Sequence, residues 1–136
     1  MTALALEVGD EWETLVLPPI SRTTLALFAG ASGDHNPIHI DLDVARGAGM
    51  DDVFAHGMLS MAYLGRLVTD HVPQARLRHL ETRFLAITPV GAAPRCHGRV
   101  VAIDAVDGET RATISLAVVL DDGTTTLTGA AIVALD

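Results

Sequence analysis

The chain contains no lysine, and all nine of its basic side chains are arginines. That absence excludes Schiff-base chemistry and any lysine general base. Seventeen acidic residues against nine basic ones leave a net charge of −8, so no basic face is available for nucleic acid. An anionic ligand such as a nucleotide thioester can still be met locally by Arg76, Arg78, Arg83, Arg95 and Arg99, although each also fits a solvent-facing strand position. Cysteine is almost absent too. Cys96 stands alone, which rules out an internal disulfide. His97 beside it is a poor general base, because neighbours on a strand face opposite ways, and a buried inert thiol is the simpler reading. No apolar run approaches the roughly 20 residues of a membrane span. Met1 to Gly9 carries Glu7 and no basic cluster, unlike a signal peptide, so a cytoplasmic location is expected. Repeats, low-complexity tracts and linkers are missing, and residues 1–136 read as a single domain.

What is present is apolar material, 49% of the 136 residues, arranged in two halves. Trp12 to Leu17 reads as a short first strand ended by Pro18-Pro19. Ser21 is a fair N-cap for a helix over Arg22–Ala31, where Leu25, Phe28 and Ala29 recur at helical spacing. Asp41–Arg46 can form a short helix broken by Gly47 and Gly49. The stretch from Phe54 through Val68, ending near His71-Val72 before Pro73, is the strongest helix. It is apolar almost all round, which predicts a buried position. Beyond Pro73 the pattern turns to strands: Arg78–Ile87, Arg95–Ala105, Thr110–Leu120 and Thr124–Ala134, with turns at Asp107-Gly108 and Asp121-Asp122-Gly123. One apolar helix with a long antiparallel sheet of about five strands predicts an α+β fold in which the sheet curls around the helix.

The chemistry concentrates in Ser32-Gly33-Asp34-His35-Asn36-Pro37-Ile38-His39. On a regular helix five residues turn about 500°, which would point Asp34 and His39 apart. On a regular strand an odd offset puts them on opposite faces. They converge only if the chain bends, and Asn36-Pro37 favours such a bend because proline fixes its own φ and drives Asn36 out of the α region. An Asp in this setting can also do no more than bond its own backbone as an Asx-turn, and His39 can be an ordinary core histidine; on these residues alone the two readings are balanced. His56-Gly57 at the start of the apolar helix favours chemistry. A helix N-terminus offers free N–H groups and a positive dipole end, and Gly57 leaves room for an oxygen to approach. A metal site is the weaker alternative. Asp41 to Arg46 starts like a calcium loop and then lacks its ligand and glycine, and His35, His39, Asp41 and Asp43 have no strong ligand spacing. His71, His79 and His97 lack a partner at ligand spacing and read as surface or packing residues.

Phe28-Ala29-Gly30-Ala31-Ser32-Gly33-Asp34-His35-Asn36-Pro37-Ile38-His39, followed by Ala45 and then by Ala55-His56-Gly57-Met58-Leu59, resembles the signature of the MaoC-like (R)-specific enoyl-CoA hydratases and 3-hydroxyacyl-thioester dehydratases. The resemblance implies a hotdog fold and a dimer, with the heterodimer of a fatty-acid synthase dehydratase as a variant. It implies that Asp34 and His39 activate the catalytic water and that the Gly57 N–H polarises the thioester carbonyl. Asn36 would shape the loop, and His56, Met58, Ser60 and Phe28 would meet the substrate. Leu25, Phe28, Met58 and Met61 are the expected walls of an acyl pocket. The substrate would be a CoA or acyl-carrier-protein thioester, with no metal, redox cofactor, nucleic acid or membrane involved. A hotdog thioesterase and a non-catalytic partner subunit are the competing readings. The intact Asp34/His39 signature argues against both.

Overall fold

The computed structural model describes residues 3–136. Three α-helices, α1 (Arg22–Ser32), α2 (Leu42–Gly47) and α3 (Gly57–His71), accompany five strands: β1 (Leu15–Val16), β2 (Leu77–Phe84), β3 (Pro94–Val106), β4 (Glu109–Leu120) and β5 (Thr125–Ala134). The strands form one antiparallel sheet in the order β1-β3-β4-β5-β2. The two C-terminal hairpins follow from local chemistry. Asp107 and Gly108 both adopt positive φ, 51° and 78°, the pair that a tight turn matched to strand twist requires. Along β4 the side chains alternate, burying Ala112, Ile114, Leu116, Val118 and Leu120 on one face. The expected first strand over Trp12–Leu17 is shorter in the structure. Trp12 turns its indole into the core at 8% exposure, leaving a bridge between Glu11 and Arg99 and the two-residue β1.

Helix α3 packs on the sheet. Leu64, Leu67 and Val68 are 0–1% exposed and join Trp12, Val100, Ile114, Leu116, Val118 and Val133 in the main core. Each such side chain contributes about 1.5–3 kcal/mol by leaving water. The expectation of a helix buried all round does not hold. One sheet covers one face only, so Met58 is 52% exposed and Ala62, Arg66, Thr69 and Asp70 also face outward. Phe54, expected in the helix, instead bridges to Pro89, and helical geometry starts at Gly57.

A second, smaller core sits under the loops that carry the site. Ile20, Leu25, Ala45, Val53, Ala55 and Leu59 tie α1, α2, the segment before α3 and the first turn of α3 into one unit. On its surface Arg22 grips Asp52 through two hydrogen bonds of 3.1 and 2.7 Å. Helix α1 starts as expected: the Ser21 hydroxyl accepts the Thr24 N–H at 3.1 Å. It ends at Gly33, whose φ of 78° is left-handed and whose N–H bonds the Ala29 carbonyl. That reversal throws the chain directly into Asp34.

Candidate active site

Residues 32–39 hold their shape by side chains bonding the backbone two residues on. The Ser32 hydroxyl accepts the Asp34 N–H at 3.1 Å, Asp34 Oδ1 accepts the Asn36 N–H at 3.2 Å, and Asn36 Oδ1 accepts the Ile38 N–H at 3.2 Å. Asn36 thereby caps the short 3-10 turn Pro37–His39, which brings His39 back under the loop. Asp34 does make the Asx-turn, through Oδ1, while its side chain stays at the exposed surface. Both roles weighed for it from sequence are therefore compatible. Asn36 is exposed and spends its side-chain oxygen on the loop.

His39 is 8% exposed. Its Nδ1 lies 2.7 Å from the Phe54 carbonyl oxygen, which can only accept, so Nδ1 carries the proton and Nε2 is left as the free position. His56 is 1% exposed, and its Nε2 lies 3.1 Å from the Asp34 carbonyl oxygen. By the same argument Nε2–H donates, and Nδ1 is buried without a partner among the described residues. The two imidazoles stack with centroids 4.0 Å apart and planes 29° apart, and the Phe28 ring meets His56 edge-on at 5.0 Å. Burial lowers the His56 pKa below its ordinary value, and the neighbouring His39 pushes the same way, so His56 is neutral near pH 7. His56, expected to meet substrate, thus lies beneath His39 and fixes the backbone of Asp34. Ser60, also expected at the substrate, is fully buried one helical turn further on, and its hydroxyl has no partner among the described residues.

Asp34, His39 and His56 each place one ligand-type atom within 4.8 Å of the others. Each ring commits one nitrogen to a backbone carbonyl, His39 Nδ1 to Phe54 and His56 Nε2 to Asp34, which leaves His39 Nε2 and His56 Nδ1 as the remaining ring positions. The His35/His39/Asp41/Asp43 set weighed from sequence is not brought together as a ligand group among the described residues. Asp41 is occupied instead as the N-cap of α2, accepting the Asp43 and Val44 N–H groups.

Helix α3 begins at Gly57 with no side-chain cap and no acidic residue in its first turn, so its leading N–H groups and dipole are open to a ligand oxygen. Two hollows flank this point. One, of about 340 Å³, is fronted by His39 and Gly57 and walled by Phe84 to Thr88. The other, of about 460 Å³, is fronted by Asp34 and lined by Phe28, Met58, Met61, Gly65 and Leu80, with an almost wholly apolar surface. Phe28, Met58 and Met61, expected as acyl-pocket walls, line this hollow. Leu25 does not: at 0% exposure it belongs to the small core beneath the loops. Phe84, Gly65 and Leu80 carried no signal in the sequence, since only the packing of α3 against β2 brings them to the hollows.

Elsewhere the alternatives left open by the residue pattern resolve into structure. Cys96 is fully buried, and burial pushes its thiol up to about 12, which makes it inert. Arg76 is buried and donates to the Leu135 carbonyl at 2.6 Å, and Arg78 holds Glu109 at 2.8 Å. His71 stacks on Trp12 at 4.5 Å. His79, expected to lack an acidic partner, lies 3.2 Å from Glu81.

A long helix laid on an antiparallel sheet, with a carboxylate and an imidazole gathered beside the helix N-terminus, defines a hotdog-fold protein. The profile of the MaoC like domain matches residues 5–120. The 3-hydroxyacyl-thioester dehydratase Z of Mycobacterium tuberculosis is 31% identical over 120 residues, covering 82% of this chain and 76% of that protein. The (R)-hydratase from A. caviae superposes with a TM-score of 0.85 at 26% identity, over 98% of this chain and 100% of the other. An R-hydratase from Pseudomonas aeruginosa gives 0.82 at 27% identity, over 96% and 83%. The chain belongs to the MaoC-like hydratase and dehydratase family, and at that level it is a hydro-lyase.

Proposed function

We propose that this chain catalyses the reversible addition of water to a trans-2-enoyl thioester, giving an (R)-3-hydroxyacyl thioester. The observation that carries the reading is the convergence of the Asp34 carboxylate and the His39 imidazole within 4.8 Å, beside the uncapped α3 N-terminus. Asp34 takes a proton from a water that His39 Nε2 helps to orient. The hydroxide oxygen bonds to C3, and the π electrons of the C2–C3 bond move onto the thioester oxygen as an enolate. The Gly57 N–H, reinforced by the helix dipole, stabilises that oxygen, a contribution worth about 3–4 kcal/mol where such a donor is well placed. Collapse of the enolate takes a proton at C2, returned through the Asp34/His39 pair, and the balance is one water added across the double bond. General acid–base help of this kind is worth typically about 10²–10⁴-fold.

The acyl chain lies in the apolar hollow of Phe28, Met58 and Met61. The carrier is CoA or an acyl-carrier protein. A dimer belongs to this reading: β2 is an edge strand of the sheet, and Leu85 and Ile87 beyond its end are 53 and 50% exposed. The test is hydration of crotonyl-CoA by purified protein, followed by loss of the conjugated enoyl-thioester absorbance and by chiral analysis of the product. Release of free thiol without hydration would favour a thioesterase instead.

A further inference from the structure

Phe84 has a fixed seat that core packing does not explain. It closes β2 opposite Leu127, and the chain beyond it is anchored by the Leu85 and Ala86 N–H groups, both donating to the Thr126 carbonyl at 2.8 and 3.3 Å. The side chain is 53% exposed, yet ring carbons Cε1 and Cδ1 lie 2.8 and 2.9 Å from the point a Cβ on Gly57 would occupy. A Cβ at that point would force the ring to shift, so ring and helix N-terminus meet this closely because residue 57 is glycine. The remainder of the ring stands in the hollow that His39 and Gly57 front.

We infer that Phe84 is a substrate-positioning residue whose ring seats the planar enoyl thioester against the Gly57 N–H. The inference rests on the hydratase reading above. The C3=C2–C1=O system of such a substrate is flat, and a single N–H donor fixes the distance of its oxygen but not the tilt of its plane. A flat apolar wall beside the donor fixes the tilt and holds C3 toward the Asp34/His39 pair. The same wall keeps water off the N–H, which strengthens the bond made to the developing enolate. Asp34 fronts the separate apolar hollow, so the wall acts on the reacting atoms and leaves the choice of acyl length to Met58, Met61 and Gly65.

The test compares wild type with Phe84→Ala, Phe84→Leu, Gly57→Ala and the double variant Gly57→Ala/Phe84→Ala, each measured for thermal unfolding and for hydration of crotonyl-CoA and a longer enoyl-CoA. Phe84→Ala is expected to fold and to lose about tenfold or more in kcat/KM, mostly in kcat and by the same factor for both substrates. Phe84→Leu should lose less. Gly57→Ala should lose both stability and turnover through the clash. The double variant, which frees the space for the new Cβ, should regain stability without regaining turnover. Unchanged kcat and KM in Phe84→Ala, or turnover returning together with stability in the double variant, would show that the ring only packs and would overturn the inference. A folded wild type that hydrates neither thioester would overturn the hydratase reading itself, and this inference with it.

Discussion

Replacing His56 with leucine should separate the stability of the site from its activity. The leucine roughly keeps the buried volume, and it removes one hydrogen bond, Nε2–H to the Asp34 carbonyl at 3.1 Å, worth about 0.5–1.5 kcal/mol. It also removes the buried Nδ1 that has no partner among the described residues, which relieves about 1–3 kcal/mol. The two terms oppose each other, so stability at pH 7 should stay within about 2.5 kcal/mol of wild type. The Asp34 carbonyl, however, is no longer held, and under the proposed mechanism the loosened loop should cost about 10–100-fold in kcat. The pH dependence adds a signature. Burial depresses the folded-state pKa of His56 below its ordinary 6.5. The unfolded chain therefore takes up a proton there first, and wild-type stability falls as pH drops below about 6.5 toward the folded value. Leucine has no such titration, so the variant should gain on wild type as pH falls below about 6.5. Urea unfolding at pH 7 and below pH 6.5, with hydration kinetics at pH 7, measures both. Full activity in the variant, or a loss of more than about 3 kcal/mol at pH 7, would refute this account of His56.

Four further outcomes are expected. Gly65→Leu, whose Cβ would meet Leu80 Cδ2 at a comfortable 3.9 Å, should fill the apolar hollow and cut activity on long enoyl chains while sparing crotonyl-CoA; Leu25→Ala should cost about 2–5 kcal/mol of stability with no change in chain-length preference. Hydrogen bonds from Arg78 and Arg111 hold the Glu109 carboxyl down at about 2, so its stabilisation is complete above about 4.5 and is lost as pH falls toward 2; Glu109→Gln should flatten that acid limb in unfolding curves. Cys96, buried with its thiol pushed up to about 12, should resist iodoacetamide at pH 8 in the native protein and react at once in urea.

Local chemistry made much of this molecule readable. Ser21 before the Arg22 helix, Asp107-Gly108 between β3 and β4, and period-2 alternation along β4 each carry their structure in a few neighbouring residues. The bend at Asn36-Pro37 was legible for the same reason, because proline geometry and Asx bonding are local. Long-range facts were not. The pairing of β2 with β5 rather than with β3 places Phe84 over Gly57, and no local pattern encodes that contact. The near-continuous apolar character of α3 hid its exposed face, since Ala62 and Gly65 look like core in sequence and line a hollow in the fold. His56 lies next to Gly57 in a motif that points to substrate, yet its ring turns inward to stack on His39.

The most direct test of the central claim is the rate of crotonyl-CoA hydration by wild type, Asp34→Asn and His39→Ala, each verified as folded by circular dichroism. The account predicts robust hydration by wild type and a loss of at least about 10²-fold in either variant, the scale of one general acid–base group. Hydration that persists at near wild-type rate in both variants would contradict it.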